Sequence, residues 1–125
     1  MILCDTNILI EIYRSNAKII EVVKQIGQEN IVVSDVTCAE LLYGARDKKE
    51  LQTIRKDLNK LTVLPIHSSV SKLAVELVEK YALSHKLSLP DALIASTAII
   101  HNIQLYTLNI KDFRFLEDVK LFDIK

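Results

Sequence analysis

Four acidic residues, Asp5, Glu40, Asp91 and Asp112, stand in stretches that are otherwise apolar or turn-forming, and their type suits one kind of chemistry. Two carboxylates ~4 Å apart repel by about 4 kcal/mol at an effective dielectric of roughly 20, more than the ~0.3–1 kcal/mol that a helix N-terminus returns to a capping acid. A shared group of three is therefore stable only with a cation or with protons. Donors that are all oxygen, with no Cys or His at ligand spacing, select a hard divalent ion such as Mg²⁺ or Mn²⁺. Such an ion keeps several waters, and its open positions suit metal-assisted phosphodiester hydrolysis. On this reading Asp5 and Asp91 are direct ligands, Glu40 positions a water or a second metal, and Asp112 completes the far side. Thr6 and Asn7 orient carboxylates or substrate through neutral hydrogen bonds.

The elements that must gather these residues follow from apolar periodicity. Ile2-Leu3-Cys4 reads as a buried first strand ending at Asp5. Ser15 or Asn16 caps a helix carrying Ile19, Val22, Val23 and Ile26, closed by Gly27. Ile31-Val32-Val33 is the second strand, and Ser34 or Asp35 caps the next helix. Glu40, roughly 9 Å along that axis, is expected near the helix's N-terminal end. Leu51, Ile54, Leu58 and Leu61 mark one face of a basic helix from Lys48 to Lys60, and Thr62-Val63-Leu64 is a strand. Ser68 or Ser69 opens an amphipathic helix through Tyr81, and Pro90 starts a helix, apolar on almost every side, that ends at Asn102. Ile103 to Tyr106 and Val119 to Phe122 complete the strands, with a turn or short helix from Thr107 to Phe113.

Strands alternating with helices predict an α/β protein, a three-layer α/β/α sandwich on a mainly parallel sheet. In such sheets the functional crevice lies outside the carboxyl ends of the strands, where the returning helices begin. Asp5, Glu40, Asp91, Asn109 and Asp112 all map to that edge. Each has a plainer reading as well. Asp91 is placed to cap a helix, Asp5 and Asp112 to form turns, and only Glu40, set among apolar neighbours, lacks a structural excuse.

Composition narrows the class. With 50% hydrophobic and 26% charged residues, two Gly and two Pro, residues 1–125 read as one compact domain, neither disordered nor collagen-like. Sixteen basic residues balance sixteen acidic ones, so a polyanion partner must be held by a local patch, and Arg46, Lys48 and Lys49 in the one basic stretch are its candidates. Cys4 and Cys38 read as buried free thiols, and His67, His85 and His101 are too scattered for a zinc motif. No apolar run approaches the ~18 residues of a membrane span, which points to a cytoplasmic protein.

Four blocks in order now resemble a known family: Ile2-Leu3-Cys4-Asp5-Thr6-Asn7; Thr37-Cys38-Ala39-Glu40-Leu41 with Gly44; Leu89-Pro90-Asp91-Ala92-Leu93-Ile94-Ala95; and Tyr106-Thr107-Leu108-Asn109-Ile110-Lys111-Asp112-Phe113. The sequence resembles the PIN-domain ribonucleases of the VapC toxin type. The resemblance implies a five-stranded parallel sheet with helices on both faces and a Mg²⁺- or Mn²⁺-dependent endoribonuclease acting on RNA. It also implies a homodimer and a cognate VapB-type antitoxin whose C-terminal segment lies across the active-site groove. Asp5, Glu40 and Asp91 match the acidic triad. At the fourth position Asn109 stands where many relatives carry Asp, with Asp112 three residues later, so the fourth site residue, with Thr107 as a neighbour, stays open between the two.

Other chemistries fit less well. A haloacid-dehalogenase-type phosphatase needs a second Asp where this chain has Asn7, and a receiver domain needs an acid near Pro65 that is absent. The remaining alternative is a non-catalytic PIN-fold module that binds RNA or protein.

Overall fold

The computed structural model describes residues 1–123, and its centre is a five-stranded sheet in the order β3-β2-β1-β4-β5, parallel throughout. The strands are short: β1 (Ile2–Cys4), β2 (Ile31–Ser34), β3 (Thr62–Leu64), β4 (Gln104–Tyr106) and β5 (Lys120–Leu121). The central β1 and β2 are buried along their whole length, as a parallel sheet covered by helices requires, while the edge strands β3 and β5 are partly exposed. Ile2, Cys4, Ile31 and Val33 face one layer, while Leu3, Val32 and Leu105 face the other. The three-layer α/β/α expectation is met.

On the first face lie α1 (Thr6–Tyr13), α2 (Ala17–Ile26) and α4 (Lys48–Leu58), contributing Ile8, Leu9, Ile19, Val22, Ile54 and Leu58. On the second lie α5 (Ser68–His85) and α6 (Leu89–His101), through Ala74, Ala92, Ile94, Ala95 and Ala98. The intervening α3 (Asp35–Tyr43) sends Val36 to one core and Cys38 and Leu41 to the other. The local signals behind these helices act as their chemistry dictates. Asn16 accepts from the Ile19 amide, Ser34 from Val36 and Ser88 from Asp91, each satisfying a free first-turn N–H. Gly27 closes α2 at φ 90°, and Asn102 closes α6 in the left-handed region at φ 53°.

Three expectations need correction. The sequence reading passes from Asp5 to Ser15 without an element, whereas Thr6–Tyr13 is helical and Asp5 is its cap. Ser68 opens α5 as expected, after His67, which takes the cap position without a side-chain bond. Leu51 is exposed, so the buried stripe of α4 is Ile54 and Leu58. Finally, α3 stops at Tyr43 with Gly44 as its cap, which puts Glu40 in the second half of a nine-residue helix and not near its N-terminal end. The cysteines behave as expected: both are buried and free, and burial pushes the Cys4 thiol up to about 12.

Candidate metal and nucleic-acid site

The chain leaves β1 toward β2 and β3, then returns to add β4 on the other side of β1. In open α/β sheets such a reversal marks the crevice outside the carboxyl ends of the flanking strands, here β1 and β4, as the place for a site. Asp5 lies there, 5% exposed, with its amide donating to the Tyr106 carbonyl at 2.9 Å. Its carboxylate is held on both oxygens. Oδ1 accepts from the Thr6 amide at 2.8 Å, and Oδ2 accepts from the Thr107 hydroxyl at 2.8 Å and from Asn7 Nδ2 at 3.3 Å.

The same polar cluster fixes the loop after β4. The Thr107 hydroxyl accepts from the Asn109 amide at 3.0 Å, and Asn7 Oδ1 accepts from the Leu108 amide at 3.3 Å. The short 3-10 turn Ile110–Asp112 follows, with Asp112 half-buried and Asn109 exposed. Asp91 is half-buried in the first turn of α6 after Pro90. Glu40, although exposed, is tethered: Oε1 accepts from the Thr6 hydroxyl at 2.7 Å.

The acids sense one another. Burial pushes the Asp91 carboxyl up to about 6, with the charges of Asp5 and Asp112, and more weakly Glu40, adding to it against the Ser88 hydrogen bond. Asp5 is raised as well, first by burial and then by Glu40 and Asp112, while Thr107 and the Thr6 amide oppose the shift. Among the described residues the ion pairs are Arg14 with Glu11 and Arg46 with Glu50, so Asp5, Glu40, Asp91 and Asp112 meet no basic partner. Three or more Asp, Glu, His or Cys side chains gathered ready to hold an ion do not occur among the described residues. The donor set still fits Mg²⁺ or Mn²⁺, because a small hydrated ion is held by one or two carboxylates and fills its other positions with water.

The basic stretch is split by the fold. A groove of about 820 Å³ between α1, α3 and α4 takes in Glu40, Arg46 and Lys49, but Lys48 does not line it. Arg46 is engaged by Glu50 at 3.0 Å, leaving Lys49 as the groove's cation without an ion pair among the described residues. His67 and His101, far apart in sequence, meet edge to face with ring centroids 5.8 Å apart, while His85 stacks on Phe115. One polar residue near the site escapes the sequence reading as a functional group: Thr37, wholly buried, whose hydroxyl lies 3.0 Å from that of Thr6. Its place three residues before Glu40, on the same helix face, is the signal that marks it.

Comparison with known proteins bears on the family and the fold. The PIN domain family model matches residues 2–117. Ribonuclease VapC10 of Mycobacterium tuberculosis is 33% identical over 91 residues, covering 72% of this chain and 68% of the relative. A toxin-antitoxin complex from Klebsiella pneumoniae contains a chain 29% identical with a TM-score of 0.82, the match covering 99% of this chain and 100% of that one. VapBC2 from Rickettsia felis, bound to a DNA fragment from its promoter, contains a chain 27% identical with a TM-score of 0.82, each chain covered to 100%.

Proposed function

The chain belongs to the PIN domain family, among its VapC-type members, and from that membership we propose that it is a Mg²⁺- or Mn²⁺-dependent endoribonuclease, the toxin of a toxin–antitoxin pair. The observation that supports the reading is that Asp5, held on both oxygens, and Asp91 have no basic partner among the described residues and are both raised by burial and by the charges of their acidic neighbours. Structure pays a cost to hold them so, and a divalent cation is what relieves it.

Asp5 and Asp91 are the residues that would hold the ion, with Glu40 and Asp112 facing its waters. When bound, the ion supplies Lewis acidity and a water of lowered pKa for attack on a phosphodiester. The chain's own part is orientation. Thr107, Asn7 and the Thr6 amide fix Asp5 on both oxygens, so its direction is set before any ligand arrives. Thr6 fixes one oxygen of Glu40, and the other has no partner among the described residues. Asp112 is preferred over Asn109 as the fourth acid, because its charge acts on both Asp5 and Asp91 while Asn109 serves the Thr107 hydroxyl through its backbone. Lys49 offers the RNA backbone a cation in the groove beside Glu40.

The similar solved chains come from toxin–antitoxin complexes, which supports a VapB-type antitoxin as partner here; the homodimer implied by the family resemblance is proposed with it. No helix among the described residues is long and apolar enough to cross a membrane, in keeping with action in the cytoplasm. Incubating the purified chain with RNA in Mn²⁺ or in EDTA, beside Asp5→Asn, tests the activity. Cleavage that needs both the metal and Asp5 is expected. Intact RNA under every condition, with a melting temperature that Mn²⁺ leaves unmoved, would favour the non-catalytic binding module.

A further inference from the structure

Glu40 is an exposed side chain on the second half of α3, and an exposed Glu ordinarily samples many rotamers. Here one oxygen is held at 2.7 Å by the Thr6 hydroxyl, which itself lies 3.0 Å from the hydroxyl of Thr37. A threonine hydroxyl has one proton to give, and an ionised carboxylate only accepts. With Glu40 ionised, the Thr6 proton points to Glu40, and the Thr6–Thr37 contact must then be supplied by the Thr37 proton. Thr37 is wholly buried, so its hydroxyl has no water to turn to. It lies three residues before Glu40, within one helical turn, while Thr6 approaches from the first turn of α1. The relay therefore joins two helices whose residues are 31 and 34 positions apart in sequence.

We infer that Thr37 is a positioning residue for the metal site: its buried hydroxyl donates to Thr6, which commits the Thr6 proton to Glu40 and holds that carboxylate in one direction. Thr37 touches neither metal nor substrate. Its effect on them rests on the reading of Glu40 as part of the metal site, whereas the three-residue relay rests on the contacts alone.

The test separates these two levels. Thr37→Val keeps the shape and removes the donor, Thr37→Ser keeps the donor, and Thr37→Ala carries the same comparison if the valine variant does not fold. Titration with Mn²⁺ alone should show affinity weakened about tenfold or more in Thr37→Val and restored in Thr37→Ser. In metal-free protein, urea unfolding of Thr37→Val, Glu40→Ala and the double variant should show a coupling of at least about threefold in the unfolding constant. Repeated in a Thr6→Val background, that coupling should vanish. Wild-type Mn²⁺ affinity in Thr37→Val, or a coupling that survives loss of the Thr6 hydroxyl, would overturn the inference, even where Asp5→Asn loses Mn²⁺ and the reading of the site stands. If the wild type binds no Mn²⁺, the metal reading falls instead, and the metal-free coupling still decides: dependent on Thr6 it supports the relay, absent it refutes it.

Discussion

Removing the charge at Asp91 should make the metal-free protein more stable, although it removes a residue of the site. The carboxyl moves from 3.8 to about 6 on folding, driven by burial and then by Asp5 and Asp112. At about 1.36 kcal/mol per tenfold change in proton affinity, the move from 3.8 to about 6 would be ~3 kcal/mol, and because the group is only half-buried, solvent screening reduces this to ~1.5 kcal/mol. The sign follows from linkage. The folded state holds the proton longer than the unfolded chain, so stability is highest below the unfolded pKa and is lost as pH rises from about 4 through about 6. Asn at this position escapes that loss but gives up the charge interaction with the α6 N-terminus, worth ~0.5 kcal/mol. Asp91→Asn should therefore gain ~1 kcal/mol at pH 7.5 in EDTA, on the order of 4 °C in melting temperature, and nothing at pH 4. Urea unfolding at the two pH values measures it. With Mn²⁺ present at about a hundred times its Kd, the wild type should gain ~2.7 kcal/mol and overtake the variant. A variant less stable than wild type in EDTA at pH 7.5, or a difference that ignores pH, would refute the reasoning.

Three further outcomes are expected. Asp112→Asn should weaken Mn²⁺ binding and bring the Asp91 carboxyl down from about 6 in a carboxyl ¹³C titration, whereas Asn109→Ala should leave both near wild type, since its backbone amide still reaches Thr107. Thr107→Val removes the hydroxyl donor from Asp5 and the acceptor from the Asn109 amide, which should cost ~1–3 kcal/mol of stability by urea unfolding and weaken Mn²⁺ about 10–100-fold by calorimetry. Lys49→Ala should lower the slope of log affinity against log salt for single-stranded RNA by about 0.7, while Lys48→Ala, outside the groove, should change it less.

The parts of the fold that were legible in the sequence are those whose signals are local. Ile2-Leu3-Cys4 is apolar on both faces and can only be a buried strand, and the apolar α6 carries Pro90 at its start and Asn102 at its end. The strand-end rule then places Asp5, Asp91 and Asp112 on one edge before any contact is known. The α1 helix was hidden because Asp5 reads equally as a turn and because Ile8, Ile10 and Ile12 favour a strand by type; the burial of Ile8 and Leu9 beneath the Asp5 cap decides for helix. Glu40 was misplaced along its helix because Gly44 ends α3 sooner than the apolar run suggests. The Thr37–Thr6–Glu40 relay and the His67–His101 contact are long-range in sequence, and no periodicity reports such pairs.

Anomalous diffraction from crystals grown with Mn²⁺ tests the central claim most directly. A manganese peak is expected in the β1/β4 crevice, bonded to Asp5 and Asp91 with Glu40 and Asp112 reaching its waters. A crevice without a peak at saturating Mn²⁺, with those carboxylates turned onto Lys or Arg side chains, would contradict it.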